Sequence, residues 1–181
     1  MAREKVNYVN NAEFLKAIVE YKKACIDAEN SGEDNPKIPN YIGQCVYKIS
    51  TRLASRPNFS GYTYKDDMIS DGLENAIQAL GNFDPEKSSN PFAYFTQIIW
   101  FAFLRRIDKE KKQMYIKHKV VENSMLLGVL IEKNEGDSGD AAYVDLNNDY
   151  MNNFVSNYEA TLEKKKVIKE QKKGLEKFYG E

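Results

Sequence analysis

The first half of the chain alternates amphipathic segments with short polar breaks, a pattern that predicts helices. Asn10 and Asn11 stand where a helix N-cap is expected. Two breaks, at 30–39 and 56–63, are rich in Pro, Gly, Asn and Ser and predict loops. Apolar residues recur every three or four positions in three segments, which run from Phe14 to Ile26, from Ile42 to Leu53 and from Met68 to Leu80.

A fourth helix is predicted from Pro91 to about Lys119, after a connection in which Gly81 is expected to cap the third helix. Its first half, PFAYFTQIIWFAFLRR, is apolar on nearly every side. From 105 to 119 there are seven Lys or Arg and two acidic residues, a local net charge of +5. Such a helix is typical of a bundle core. Aromatic residues beside cations are also the composition that stacks unpaired bases and holds phosphate. Both interpretations stay open.

A helical projection at 100° per residue separates two faces of this fourth helix. The face expected to enter the core collects Phe92, Phe95, Ile99, Ala102 and Phe103. The opposite face collects Tyr94, Gln97, Phe101, Leu104, Arg105 and Asp108, with Ile98 at its border. Tyr, Phe and Leu are unusual on a face that only meets solvent.

The last third of the chain is more polar and predicts shorter elements. A short amphipathic piece is expected from Val120 to Ile131 and a short helix from Tyr150 to Tyr158, with an acidic, Gly-containing stretch between them. The lysine-rich end is expected to be helical. Strand-like alternation is weak throughout, so the predicted fold class is all-α: a helical bundle with a poorly packed, charged C-terminal extension.

Composition and charge also argue against several classes of protein and of site. The net charge is −1, and the longest nearly apolar run, Ile98–Leu104, is too short to span a bilayer, so a soluble cytoplasmic protein without a membrane partner is expected. Cys25 and Cys45 have no CxxC spacing, so no metal site is expected. The only histidine, His118, lies among lysines and is expected to be a solvated surface residue. The sequence therefore predicts neither an enzyme nor a cofactor.

The segment DMISDGLENAIQALGNFDPEKSSNPFAYFTQIIWFAFLRRI, residues 67–107, resembles conserved region 2 of the sigma-70 family of bacterial transcription factors. The shared features are an acidic helix, a Phe-Asp turn and an aromatic helix that ends in arginines. YVNN, NFSGYT and NFDPEK followed by NPFAYFTQ look more like the late-transcription sigma factors of T-even-type bacteriophages. The resemblance, specific over 56–112, implies a sigma domain 2-like helical domain at 1–119, an acidic then basic extension at 120–170 and a tail at 171–181.

The resemblance implies that the acidic third helix docks on the clamp-helix coiled coil in the largest subunit of the host RNA polymerase core. A face that mixes acidic and apolar residues suits a basic partner helix, because charge steers the encounter and buried aliphatic groups supply affinity. An ordinary solvated helix face is the alternative. The implied polymerase-binding positions are Asp67, Ser70, Asp71, Leu73, Glu74, Ile77 and Gln78.

The resemblance also implies that the aromatic helix captures and melts the promoter −10 element. Phe95 takes the place of a stacking aromatic, and Ile98 and Ile99 stand where primary sigma factors have a tryptophan pair. The implied DNA-binding positions are Tyr94, Phe95, Gln97, Ile98, Ile99, Ala102, Arg105, Arg106, Lys109 and Lys112. The family position of Ala102 faces promoter bases, whereas the helical projection places it in the core. The two readings disagree and both stay open.

No helix-turn-helix of the type that reads a −35 element is apparent between 120 and 181, so recognition of a short −10-like element alone is expected. The isoleucines in place of the tryptophan pair suggest either a weaker apolar wedge or an A/T-rich, easily opened element. The tail GLEKFYGE places Leu175, Phe178 and Tyr179 on one small apolar patch, which the resemblance assigns to a DNA-polymerase sliding clamp. The need for a co-activator stays open. The expected function is that of a phage late sigma factor. The alternatives are an adaptor or anti-sigma protein that binds polymerase without reading promoters and, least supported, a nucleic-acid enzyme.

Overall fold

The computed structural model describes residues 8–135 and 149–178, with side chains described at 8–124 and 151–172. The described chain forms six helices: α1 (Asn11–Ser31), α2 (Asn40–Ala54), α3 (Pro57–Ser60), α4 (Lys65–Gln78), α5 (Pro91–Glu135) and α6 (Asp149–Phe178). The predicted all-α fold class is confirmed. In the described ranges, no helix has both the length and the apolar character needed to cross a bilayer.

Local capping explains several helix boundaries. The Asn10 side chain accepts hydrogen bonds from the backbone N–H groups of Ala12 and Glu13, as expected for an N-cap. Gly32 ends α1 in the left-handed region at φ 69°, a conformation that glycine adopts without a steric penalty. Pro91 begins α5, as predicted. The prediction for Gly81 is wrong: α4 ends at a cap residue, Ala79, in the right-handed region.

Both long helices of the second half extend beyond their predicted limits. Helix α5 continues to Glu135, so the piece expected separately from Val120 to Ile131 belongs to it. Helix α6 likewise merges the short helix expected near Tyr150 with the lysine-rich end. The physical reason is the same in both cases, since neither junction contains the proline or glycine that would end a helix.

The chain divides into two compact units, with the boundary between residues 109 and 110. In the first unit, α2 packs against α1, α3 and α4. Large rings bring α5 into this core: the ring centroids of Phe14 and Phe95 lie 5.5 Å apart, and those of Phe59 and Phe103 lie 5.1 Å apart. The expected division at 119 and the tail at 171–181 stay predictions about domain organisation.

Gly72 marks the point where α4 approaches its neighbours most tightly. A Cβ atom added to Gly72 would lie 2.9 Å from Ile99 Cγ2, Phe103 Cε1 and Ser50 Oγ. All three of these residues are buried, and the Ser50 hydroxyl donates to the Ile69 carbonyl oxygen at 3.3 Å. The absence of a side chain at position 72 therefore sets how closely α4 packs on α2 and α5.

The second unit contains a pairing between α5 and α6. The ring centroids of Tyr115 and Tyr158 lie 4.9 Å apart, and the Tyr115 hydroxyl donates to Glu159 at 2.9 Å. That hydrogen bond lowers the pKa of the Glu159 carboxyl. Both ring nitrogens of His118 lie out of solvent and have no hydrogen-bond partner among the described residues. The expectation of a solvated surface histidine is therefore wrong, because the α5 face that carries His118 is partly covered.

Candidate functional site

The outward face of α4 carries most of the positions expected to bind polymerase. The buried face consists of Met68, Gly72 and Ala76. The opposite face exposes Asp67, Ser70, Glu74, Ile77 and Gln78, with Leu73 and Asp71 half-buried beside them. Periodicity alone assigned Ile77 to the buried stripe, but its side chain is 45% exposed. These exposed residues, from Asp67 to Gln78, are referred to below as the α4 face.

Asp71 and Arg106 bind each other. The Arg106 Nε and Nη2 atoms donate to the two Asp71 carboxylate oxygens at 2.6 and 2.7 Å, the bidentate geometry of a strong charge-assisted pair. Arg105 Nη2 donates to Asn75 Oδ1 at 2.6 Å one turn along. We call these four residues the α4–α5 clasp. In this conformation Asp71 is not a free polymerase ligand, and Arg106 is not a free phosphate ligand, because each satisfies the charge of the other.

Three residues expected to contact DNA are in the core. Phe95 and Ile99 are fully buried, and Ala102 is nearly so. The Phe95 ring packs between those of Phe14 and Phe83. In this conformation the bundle covers all three side chains, and their contacts with promoter bases stay a prediction. The projection that placed Ala102 in the core is confirmed.

Of the expected DNA-binding positions of α5 up to Arg105, Gln97 and Arg105 are exposed, and Tyr94 and Ile98 are half-buried. Phe101 is 50% exposed, and Gln97, Leu104 and Arg105 are also exposed. We call the residues of this face the outward strip of α5: Tyr94, Gln97, Ile98, Phe101, Leu104 and Arg105. The expected site omitted Phe101 and Leu104, although the helical projection had placed both on this face.

Two aromatic residues, one of them in the strip, tie α5 to neighbouring segments. The Tyr94 hydroxyl donates to the Ala79 carbonyl oxygen at 3.3 Å, and its ring meets Phe83 edge-on. The half-buried Trp100 packs edge-on against Phe59, with ring centroids 4.8 Å apart. The single tryptophan therefore braces α5 against α3 and does not project as a free wedge.

The two lysines expected to bind phosphate are exposed, whereas the side chains of the expected clamp-binding residues lie outside the described residues. Lys109 is exposed at the end of the first unit, and Lys112 is exposed in the second. Of the tail residues, Leu175 and Phe178 lie in the last turns of α6, where the side chains are outside the described residues, and Tyr179 is outside them altogether. The sliding-clamp assignment of all three stays a prediction.

Residues 44–113 match the family model of sigma-70 region 2. This segment is similar to sigma-70 region 2. It begins within α2 and ends within α5, so it contains the α4 face, the clasp and the outward strip. No curated protein sequence matches the chain. The region 2 assignment supports a sigma-factor-like role, that is, binding to RNA polymerase core and promoter DNA in a family of non-enzymatic transcription factors.

Proposed function

We propose that this protein is a bacteriophage late-transcription sigma factor that acts in the host cytoplasm. It binds the host RNA polymerase core and directs it to short, A/T-rich −10-like promoters, where it supports melting. The observation that carries the proposal is a region 2 that presents two different surfaces on one unit: the α4 face is acidic and polar, and the outward strip of α5 is aromatic, aliphatic and cationic.

The α4 face suits the clamp-helix coiled coil of the largest polymerase subunit. Asp67 and Glu74 are exposed acids that attract a basic helix, and the half-exposed Ile77 supplies apolar area that becomes buried on docking. Electrostatic attraction mainly raises the association rate, while burial of aliphatic groups mainly slows dissociation. The clasp removes Asp71 from the set of free acids and leaves Asp67 and Glu74 as the principal charged contacts.

The outward strip of α5 suits an opened DNA strand. A base that leaves the duplex loses stacking, so a melting surface must offer a ring or an apolar group in exchange. Phe101 offers the ring and Leu104 the apolar group. Arg105 is held by the neutral amide of Asn75, a partner that a phosphate can replace, whereas Arg106 is held by a carboxylate. Arg105 is therefore the clasp residue assigned to phosphate. An A/T-rich element lowers the cost of opening.

The C-terminal tail, 171–181, is assigned to the sliding clamp as the activating partner. Its deletion should abolish clamp-dependent stimulation of transcription and leave clamp-independent initiation unchanged. Adding a candidate co-activator to the same reactions tests whether one is required.

A second function is favoured by the burial of Phe95, Ile99 and Ala102 and by the engagement of Arg106. Those features suit an adaptor or anti-sigma protein that occupies polymerase without reading DNA. The deciding experiment reconstitutes purified core polymerase with the protein on supercoiled and premelted templates that carry TATAAATA-like elements. Starts at those elements support the sigma-factor function, whereas tight binding without promoter-specific starts supports the adaptor.

A pair of variants then localises the activity. Phe101→Ala should reduce open-complex formation by roughly 5- to 100-fold, the value of about 1–3 kcal/mol for one stacked base, and should leave polymerase binding intact. Ile116→Ala is the matched control, since Ile116 is a similarly exposed apolar residue of α5 outside the region 2 match. Equal effects of the two changes would contradict the assignment of the outward strip to DNA.

A further inference from the structure

A shallow groove between α1 and α4 exposes two isoleucine side chains. Ile26 of α1 is 55% exposed and Ile77 of α4 is 45% exposed, and both line the same groove. Its other walls include Cys25, Ile38 and Leu80. Single exposed aliphatic residues are common, whereas Ile26 and Ile77 expose apolar area within one concave groove.

The groove continues the α4 face. Ile77 is the last aliphatic residue of that face and at the same time lines the groove, so a partner lying along α4 meets Ile26 next. The acidic character of the α4 face also continues into the groove. Glu29 lines the groove on α1, and Glu74 lies one turn before Ile77 on the exposed side of α4. A basic helix that lies along α4 therefore meets Glu74 on the α4 face and Glu29 in the groove.

The groove is preformed. Lys22, the cation among its lining residues, donates from Nζ to the carbonyl oxygens of Gly81 and Phe83 and so fastens α1 to the turn after α4. These bonds hold the two walls together and leave the ammonium group engaged with the protein itself. Binding of a partner helix costs little conformational entropy at this surface, because the walls of the groove are already held in place.

We propose that this groove is a second part of the polymerase interface and takes a basic helix of the polymerase core whose apolar side chains insert between Ile26 and Ile77. The inference rests on the proposed function and extends it, since it gives α1, which lies outside the region 2 match, a direct role in docking. The occupant is protein and not nucleic acid, because the free charges at the rim are acidic.

The native cysteines provide a footprinting test. Cys25 lines the groove and is partly exposed, whereas Cys45 is buried and serves as the internal control. Alkylation of each thiol is followed by mass spectrometry of its peptide, with and without core polymerase. Bound polymerase should slow alkylation of Cys25 by at least about tenfold, because a covered thiol reacts only when the complex opens. An unchanged Cys25 rate in a saturated complex overturns the proposal.

A substitution tests the energy of the contact. Ile26→Ser should weaken binding to core polymerase by about 5- to 30-fold, as expected for a buried aliphatic contact worth about 1–2 kcal/mol. Ile168→Ser is the matched control, since Ile168 is 52% exposed on α6 in the other unit. Thermal unfolding of both variants checks that the fold is unchanged.

The outcomes separate this inference from the proposed function. If the wild-type protein does not bind core polymerase, the proposed function fails and the groove proposal fails with it. If the wild type binds and Glu74→Ala weakens binding while Ile26→Ser does not, the groove proposal alone is overturned. If Ile26→Ser instead abolishes self-association measured by sedimentation, the occupant is a second copy of the chain, and the groove proposal is likewise overturned.

Discussion

Helices α4 and α5 carry the two candidate surfaces, and the positions implied by the family resemblance match the exposed residues of α4 better than those of α5. On α4, the residues expected to face a partner are largely the residues that are exposed. On α5, the set implied by the family resemblance falls partly in the core, at Phe95, Ile99 and Ala102, although the helical projection placed these three residues in the core. The difference follows from composition. Helix α4 is amphipathic, so polarity identifies its outer face. Helix α5 is apolar on nearly every side between Phe92 and Leu104, so polarity cannot distinguish a core face from a binding face.

The two surfaces are also mechanically connected. The α4–α5 clasp joins Asp71 and Asn75 to Arg106 and Arg105, and the contact at Gly72 sets the spacing of the same two helices. The orientation of the outward strip therefore depends on α4. Substitutions that separate core positions from surface positions test this comparison most directly.

The largest effect is expected at the core position of α5. Phe95→Ala should lower the free energy of unfolding by about 3–5 kcal/mol, since it removes a fully buried ring and leaves a cavity. Phe101→Ala should change it by less than about 0.5 kcal/mol, because half of that side chain already meets solvent. Urea unfolding of both variants measures the contrast. A reversed order would mean that α5 is rotated relative to the structure.

The clasp should contribute measurably to stability. Asp71→Ala should lower the free energy of unfolding by about 1.5–3 kcal/mol, since it leaves the half-buried Arg106 guanidinium without its carboxylate. Asp67→Ala, at an exposed position of the same helix, should cost less than about 0.5 kcal/mol. Urea unfolding serves here too. Equal losses in the two variants would show that Asp71 is as free as Asp67.

Two glycines should respond in opposite directions. Gly72→Ala should destabilise the fold by about 1–3 kcal/mol, because the new methyl group would press on three buried side chains. Gly43→Ala, within α2, meets no atom within 4 Å and should stabilise the fold by about 0.5–1 kcal/mol through helix propensity. Thermal unfolding gives the sign of each change. A stabilising Gly72→Ala would argue against close packing of α4 on α5.

A similarly small effect is expected in the second unit, at His118. His118→Leu should raise the stability of that unit by about 1 kcal/mol, because it replaces two buried nitrogens that lack a described hydrogen-bond partner with an apolar group of similar size. Lys117→Leu, at an exposed neighbouring position, serves as the control. Hydrogen exchange of the α5 and α6 amides reports the change locally. A loss of protection in His118→Leu would indicate that the imidazole has a partner.

By itself, the sequence determined the all-α class, the cap at Asn10, the start of α5 at Pro91, the polar side of α4 and the region 2 signature at 44–113. These features depend on side chains within a few turns of each other, where period, capping and breaker residues act locally. The merged lengths of α5 and α6 could also have been predicted, because neither junction contains a residue that ends a helix.

Only the tertiary structure decided that Asp71 binds Arg106, that Gly72 lies against Ile99 and Phe103, and that Ile26 and Ile77 share a groove. Each of these facts joins residues far apart in the chain; Asp71 and Arg106, for example, are separated by 35 positions. A local pattern of polar and apolar residues predicts which side chains avoid water. It does not state which of several apolar surfaces will cover them, because that choice is made by the shape and packing of helices that meet only in the folded protein.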